Sequence, residues 1–139
     1  EFSKTLKDLN LQMFKVIHKR HKKLGIDLTP IQGTIILTIF ENQETLCQKH
    51  LEQFISCNKS TLSSILDTME KKNLIKRVSD CTDTRKKVIV LTKNAKSFVE
   101  KIKEDKIMVE KGMLQGIEKE ELELFNATLN KMLKNLERM

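Results

Sequence analysis

The sequence has little proline, glycine and cysteine, and it has no tryptophan or tyrosine. Its 139 residues include 1 Pro, 4 Gly and 3 Cys. A β-sandwich or a β-barrel needs many turns, so this scarcity of turn-forming residues favours long helices. Three cysteines without paired spacing do not form a disulfide framework, and no charged-then-apolar leader precedes the first helix. We therefore expect a helix-rich, cytoplasmic protein.

Long apolar runs and enzyme motifs are also absent. No run approaches the roughly 18 apolar residues that cross a bilayer, so no membrane association is expected. The sequence has no glycine-rich phosphate loop, no nucleophile motif and no cluster of metal ligands. Its length suits about one domain. We therefore expect neither an enzyme nor a protein that carries a cofactor or a metal.

Positive charge is concentrated in two parts of the chain, residues 1–25 and residues 58–93, each with a net charge of +5. The net charge is +7, from 26 basic and 19 acidic residues. Residues 58–93 carry nine basic and four acidic residues, whereas residues 26–57 carry one basic and four acidic residues. This concentration favours a polyanionic partner such as DNA, although a solvated lysine surface would have the same composition.

Apolar residues recur at helical spacing along most of the chain. Thr29 before Pro30 marks a helix start, because the hydroxyl caps the helix and the ring fixes a helical φ. Asn58 and Thr92 are candidate N-caps. We predict helices over 2–24, 30–42, 45–54, 59–72, 93–113 and 118–137. The predicted buried side of the second helix consists of Ile31, Ile35, Ile36, Ile39 and Phe40.

The predicted helix 59–72 has one apolar side and one polar side. The apolar residues follow the spacing i, i+3, i+4, i+7, which places them on one face. They are Leu62, Ile65, Leu66 and Met69. The polar side is built from short side chains near the start of the helix, so a flat surface can approach it closely. It contains Ser60, Ser63, Ser64, Asp67 and Lys71.

The period of the sequence changes after Asn73. Residues 74–78 and 87–91 are short runs with β-branched content, and the polar segment 79–86 separates them. This pattern predicts one β-hairpin, the only sheet expected in the chain.

A short helix, a tight break, helix 59–72 and a basic hairpin follow one another in the order of a winged helix-turn-helix. In that fold the second helix presents its polar side to the major groove, where base edges differ. An arginine at a hairpin tip can enter the narrow minor groove. We predict a mainly α winged helix-turn-helix with one β-hairpin wing, flanked by N- and C-terminal helices that mediate dimerisation.

Four segments of this region resemble the MarR family of bacterial transcription factors. They read LTPIQ at 28–32, HLEQFISCNKSTLSSILDTMEKKNLIKR at 50–77, DTR at 83–85 and VLT at 90–92. The resemblance implies a homodimeric regulator, expected to be a repressor, that binds a pseudo-palindromic operator through helix 59–72. It also implies that Arg85 enters the minor groove and that Asp83 braces it. Asn73 stands where the family usually has Gly, and Asn tolerates a left-handed φ.

The predicted DNA contacts combine caps, hydroxyls and basic side chains. They are Asn58, Lys59, Ser60, Thr61, Ser63, Ser64, Asp67, Lys71, Lys76, Arg77, Asp83, Arg85, Lys86 and Lys87. The resemblance also implies a small lipophilic or phenolic effector between the dimerisation helices and the winged domain. Candidates to line such a cleft are Met13, Ile17, Ile35 and Ile39, although core packing explains them equally well.

The terminal helices carry apolar seams that need burial, either inside the domain or against a partner chain. In helix 118–137 the seam alternates spacings of three and four residues, as in a heptad. The candidate dimerisation residues are Leu6, Leu9, Met13, Leu122, Phe125, Leu129, Met132 and Leu136. We expect residues 1–27 to form a dimerisation helix, 28–92 the winged domain, and 93–139 the rest of the dimerisation region.

Three other hypotheses remain open. His18 and His21 are spaced for a metal site, but the surrounding lysines favour a solvated basic helix end instead. Cys81 lies near basic residues that can activate a thiol for redox sensing, whereas Cys57 is expected to be a small core residue. The third is a winged-helix module that binds protein or RNA, and an RNA reader would usually show exposed aromatic residues for stacking. All six Phe fall in helical apolar patterns, which favours duplex DNA, and His50 is expected to be partly buried.

Overall fold

The computed structural model describes residues 1–80, 83 and 85–139. Its architecture is the mainly α winged helix-turn-helix that the sequence predicts, with a two-stranded antiparallel hairpin. The elements are α1 (Phe2–Leu24), α2 (Pro30–Glu41), α3 (Gln48–Phe54), α4 (Lys59–Lys71), β1 (Ile75–Ser79), β2 (Lys87–Leu91), α5 (Lys93–Lys96), α6 (Val99–Met113) and α7 (Lys119–Glu137).

The turn between α1 and α2 is bounded by Gly25 and by the predicted helix start at Thr29 and Pro30. Gly25 ends α1 with a left-handed φ of 71°, which glycine adopts without a steric penalty. The Thr29 hydroxyl then accepts the Gln32 N–H at 3.3 Å, and the Gln32 side chain accepts the Thr29 N–H at 3.0 Å. This reciprocal capping box fixes the start of α2.

The hydrophobic core lies between α2, the helix-turn-helix and the hairpin. Its largest fully buried side chains are Ile35, Ile36, Ile39, Leu51, Leu62, Leu66, Met69, Ile75 and Ile89. The predicted burial of Phe40 is wrong, because this ring in the last turn of α2 is 39% exposed. Lys103 Nζ lies 4.7 Å from the centre of the Phe40 ring, a cation–π distance.

Helix α3 starts at Gln48, three residues later than predicted. Gln43 and Glu44, just before the predicted start, have left-handed φ angles of 56° and 58°. The next residues add to the edge of the hairpin instead, since the Leu46 carbonyl accepts the Ile89 N–H at 2.8 Å. Cys47 likewise forms an isolated β-bridge with Val88.

The hairpin pairs Ile75 with Leu91 and Ser79 with Lys87. Its first strand starts and ends one residue later than predicted. Asn73, just before the strand, has a φ of 59°, so it makes the left-handed turn for which the family usually has glycine.

The predicted helix 93–113 is divided into α5 and α6 at Ser97 and Phe98. The Ser97 hydroxyl donates to the Asn94 carbonyl at 2.6 Å, a local bond that competes with helix continuation. Thr92 caps α5 by accepting the Ala95 N–H at 3.1 Å, and its own hydroxyl donates to the Asn73 carbonyl at 2.7 Å. One threonine therefore joins α5 to the base of the wing.

The chain divides into two compact units, residues 1–107 and residues 108–139. Within the first unit, Arg20 Nε of α1 lies 2.6 Å from Asp105 Oδ1 of α6, and the Asp105 side chain is only 2% exposed. His21 is buried as well, and its Nδ1 donates to the Leu28 carbonyl at 2.9 Å. The expectation of a solvated histidine is therefore wrong for His21, whereas His18 is exposed.

The second unit contains α7, in which no residue is buried. Leu122, Leu129 and Met132 are half-buried, and the other apolar residues of the helix are exposed. Among the described residues, no helix combines the length and the apolar character needed to cross a bilayer.

Candidate nucleic-acid interface

Helix α4 has its apolar and polar residues on opposite sides, as predicted. The residues that it buries completely are Leu62, Leu66 and Met69. At 100° per residue, the centre of the opposite side forms a stripe about 60° wide. The exposed residues of that stripe are Ser60, Ser64, Asp67 and Lys71. Lys59 and Thr61 are exposed near the start of the helix, and Ser63 is half-buried at one edge of the stripe.

The first turn of α4 is organised by the Asn58 side chain. Asn58 Oδ1 accepts the Thr61 N–H at 2.8 Å, which satisfies one of the free amides of the helix start. The Ser60 hydroxyl lies 2.9 Å from the same oxygen. Asn58 therefore acts as the predicted N-cap, and its oxygen already has two partners within the chain.

Two of the predicted DNA contacts are paired with each other. Arg77 Nη1, on β1, lies 3.0 Å from Asp67 Oδ1 and 3.5 Å from Glu70 Oε2, and both carboxylates belong to α4. The Arg77 side chain is 24% exposed, whereas the Asp67 side chain is 57% exposed. The pair joins the wing to the exposed side of α4, and it balances the negative charge of Asp67 on a surface predicted to face phosphates.

The wing carries basic residues with little protein contact. Lys76, Lys86 and Lys87 are all exposed. The Arg85 side chain is 92% exposed. Asp83 Oδ1 accepts the Arg85 backbone N–H at 3.0 Å and lies 3.4 Å from Arg85 Nε. This geometry has the form of the bracing contact that the resemblance implies.

The structure brings the predicted residues together in two groups. The exposed stripe of α4 and the paired Arg77 form the first group, and the second is the set of basic residues in the wing. Cys81 lies outside the described residues, so the hypothesis of a thiol switch at Cys81 stays a prediction.

The sequence did not predict a contact between the turn after α2 and the second strand of the wing. Glu44 Oε1 accepts the Leu91 N–H at 2.8 Å and lies 3.5 Å from Lys96 Nζ. An isolated acidic residue in a polar turn carries no sequence signal for this role. Gln43 and Glu44, in the turn that carries this carboxylate, both have a left-handed φ.

The remaining candidate residues are distributed over the surface and the core. Cys57 packs against the core, as expected, but His50 is exposed rather than partly buried. His50 Nδ1 lies 3.4 Å from Cys47 Sγ. Over residues 1–80, 83 and 85–139, no group of three or more potential metal ligands is assembled.

The phenylalanines do not all serve packing. Five of the six are at least 39% exposed, namely Phe2, Phe14, Phe40, Phe54 and Phe125. Phe54, at the end of α3, is 53% exposed. The chain therefore does expose aromatic side chains, a feature expected of an RNA-binding module.

Comparison with known proteins assigns this arrangement to a family. A sequence profile of the MarR family matches residues 28–87, which include α4 and most of the wing. The structure of MarR from Oenococcus oeni PSU-1 is 30% identical, with a TM-score of 0.81 over 96% of this chain and 99% of that one. The chain belongs to the MarR family.

Two structures of Staphylococcus aureus MepR extend the likeness over nearly the whole chain. MepR in complex with DNA is 27% identical and has a TM-score of 0.88, with 98% of each chain covered. MepR in its DNA-binding conformation has the same identity and coverage and a TM-score of 0.82. This MarR-family chain therefore has the fold of a winged helix-turn-helix transcription regulator from end to end.

The residues predicted to mediate dimerisation are exposed or half-buried in this MarR-family chain. On α1, Leu6 and Leu9 are 36% and 43% exposed, and Met13 is half-buried. On α7, Phe125 and Leu136 are 45% and 66% exposed. Each helix thus presents apolar surface that its own unit leaves uncovered.

Proposed function

We propose that this MarR-family regulator acts as a cytoplasmic homodimer that binds a pseudo-palindromic operator in double-stranded DNA and represses transcription. The observation that carries the proposal is the exposed stripe of α4. Two serines, a lysine and Asp67, which is paired with Arg77, occupy it. Leu62, Leu66 and Met69 on the apolar side of the same helix are fully buried, and the basic wing follows directly in the chain. The similarity to MepR in complex with DNA supports the same use of this surface.

Each element has a role in the proposed complex. Helix α4 enters the major groove, where the hydroxyls of its stripe reach base edges. Lys59, Lys71, Lys76, Lys86 and Lys87 contact phosphates and position the helix. Arg85 enters the adjacent minor groove, and Asp83 fixes its direction. Arg77 acts mainly through its contacts with α4, since its guanidinium already has carboxylate partners.

The exposed apolar faces of α1 and α7 support the homodimer. Contiguous apolar surface on a soluble protein marks an interaction site, and a second copy of the chain presents the same faces. Two-fold symmetry would place two copies of α4 about 34 Å apart, one turn of B-DNA. The operator would then contain two inverted half-sites at that spacing.

Release by a small lipophilic or phenolic effector is a further part of the proposal, and it is taken from the family. Ile35 and Ile39 are fully buried in the core, so they are not free to line a cleft. Met13 and Ile17 on α1 are half-buried and remain candidates. Operator binding measured by fluorescence anisotropy with and without small phenols tests this part, and unchanged affinity across the set would contradict it.

The central experiment selects binding sites from a pool of randomised DNA duplexes with the purified protein. We expect an enriched inverted repeat, protected from nuclease over both half-sites. Affinity for it should fall steeply with salt, because each neutralised phosphate contributes about −0.9 to the log–log slope. A flat salt response, or tighter binding to RNA than to any selected duplex, would refute the proposal.

A further inference from the structure

Two hydrogen bonds in the first turn of α4 fix the direction of the Ser60 hydroxyl. The Thr61 backbone N–H donates to Asn58 at 2.8 Å, and because this group can only donate, the atom that it meets is the Asn58 carbonyl oxygen. Ser60 Oγ lies 2.9 Å from that same oxygen. An amide oxygen can only accept, so the Ser60 hydroxyl must donate its proton to it.

The Ser60 hydroxyl can therefore accept a hydrogen bond from a ligand but cannot donate one. A serine hydroxyl has one proton, and here Asn58 receives it. Ser64, one helical turn further along the same stripe, differs because its hydroxyl makes no hydrogen bond with the described part of the chain. Ser64 can therefore donate or accept. Two serines that look equivalent in sequence thus present different hydrogen-bonding character to the same surface.

We propose that Ser60 is a specificity-determining residue that accepts a hydrogen bond from the exocyclic amino group of adenine or cytosine. This inference rests on the proposed function, in which α4 lies in the major groove. There the amino groups at N6 of adenine and N4 of cytosine are the donors, whereas guanine O6, purine N7 and thymine O4 are acceptors. Phosphate oxygens also only accept. A hydroxyl that can only accept forms a hydrogen bond with the amino groups, but not with the acceptor atoms of the bases or with phosphate oxygens.

The cap on the helix favours this direction in the complex. To donate to a phosphate or to a guanine, the Ser60 proton would have to leave Asn58, and one hydrogen bond within the protein would be lost. Ser60 Oγ can accept a hydrogen bond from an amino group of the DNA without losing its own bond to Asn58. Ser60 therefore favours the base pair and strand orientation that place an amino group opposite it.

The experiment uses the best duplex from the selection described above and replaces single bases by analogues. Purine in place of adenine, or 2-pyrimidinone in place of cytosine, deletes one exocyclic amino group, and a 7-deazapurine deletes one N7 acceptor. Anisotropy measures the affinity of the unaltered protein, of Ser60→Ala and of the matched control Ser64→Ala for each duplex. Alanine at position 60 leaves the Asn58 cap on Thr61 in place, so the fold is expected to be retained.

We expect deletion of one particular amino group in a single half-site to weaken binding of the unaltered protein by about five- to tenfold, the scale of one hydrogen bond. The same deletion should leave Ser60→Ala nearly unaffected, while Ser64→Ala should respond as the unaltered protein does. Coupling of Ser60 to a 7-deaza substitution, or to no base group at all, would overturn the inference while leaving DNA binding intact. Failure to select any duplex would instead overturn the proposed function, and this inference with it.

Discussion

Helices α4 and α7 have similar amphipathic patterns but opposite surroundings. The apolar side of α4 is completely buried at Leu62, Leu66 and Met69, so only its polar side is available to a partner. No residue of α7 is buried, and Leu136 is 66% exposed. Burial of the apolar side thus leaves α4 suited to a polar, charged ligand, whereas α7 retains an apolar surface suited to a protein partner.

The largest expected effect concerns α7. Leu129→Glu places a carboxylate on the half-buried seam, and burying an unpaired charge in an interface costs several kcal/mol. We expect the dimer dissociation constant to rise by at least about 100-fold, seen as a monomer in sedimentation or sizing experiments. Leu124→Glu is the control, because Leu124 is 70% exposed and lies away from the seam. A dimer that survives Leu129→Glu would contradict the assignment of the interface.

The next effect compares the cores of the two regions. Leu66→Ala removes a fully buried side chain from α4 and should lower the free energy of unfolding by about 2–5 kcal/mol, through lost burial and a cavity. Leu124→Ala on α7 should change it by no more than about 0.5 kcal/mol. Urea denaturation followed by circular dichroism measures both. Equal losses would show that the burial difference between the helices does not hold.

A smaller effect concerns the tip of the wing. Arg85→Ala should weaken operator binding by about 1–3 kcal/mol for each half-site, the scale of a good groove contact. Because minor-groove width depends on sequence, the loss should be larger for the selected operator than for unrelated duplexes. Lys86→Ala should instead weaken binding to all duplexes to a similar extent. Equal behaviour of the two variants would rule out a special role for Arg85.

The smallest effect distinguishes two neighbouring basic residues on β1. Lys76 is exposed, so Lys76→Ala should reduce the salt slope of dimer binding by about 1.8, because one phosphate contact worth about 0.9 is lost in each half-site. Arg77→Ala should leave the slope nearly unchanged, because its guanidinium is paired with Asp67 and Glu70. Titration of affinity against salt concentration measures both slopes. A reduced slope for Arg77→Ala would show that Arg77 contacts phosphate directly.

The elements that the sequence predicts well are those with strong local signals. Thr29 and Pro30 mark the start of α2, and Asn58 marks the start of α4, because a capping side chain acts within three residues. The two sides of α4 follow from the helical period alone. The weaker predictions depended on partners distant in sequence. Helix α3 starts late because residues 46 and 47 pair with the hairpin.

In the candidate interface, too, the sequence predicts features with local signals but not contacts between distant residues. The residue types and the order of the elements indicated a DNA-binding surface, and the assignment to the MarR family agrees with them. The pairing of Arg77 with Asp67 and the role of Glu44 involve residues 10 and 47 positions apart, respectively. No short-range pattern encodes such contacts.

By itself, the sequence of this protein determined its helical class, its helix caps, its basic central region and its family, because these depend on composition and on contacts between near neighbours. The tertiary structure decided which polar groups remain available. It buried His21 against the Leu28 carbonyl, placed Phe54 at the surface and paired Arg20 with the buried Asp105. The physical reason is that a hydrogen bond or a buried surface is defined by two partners, and only the folded chain brings both together.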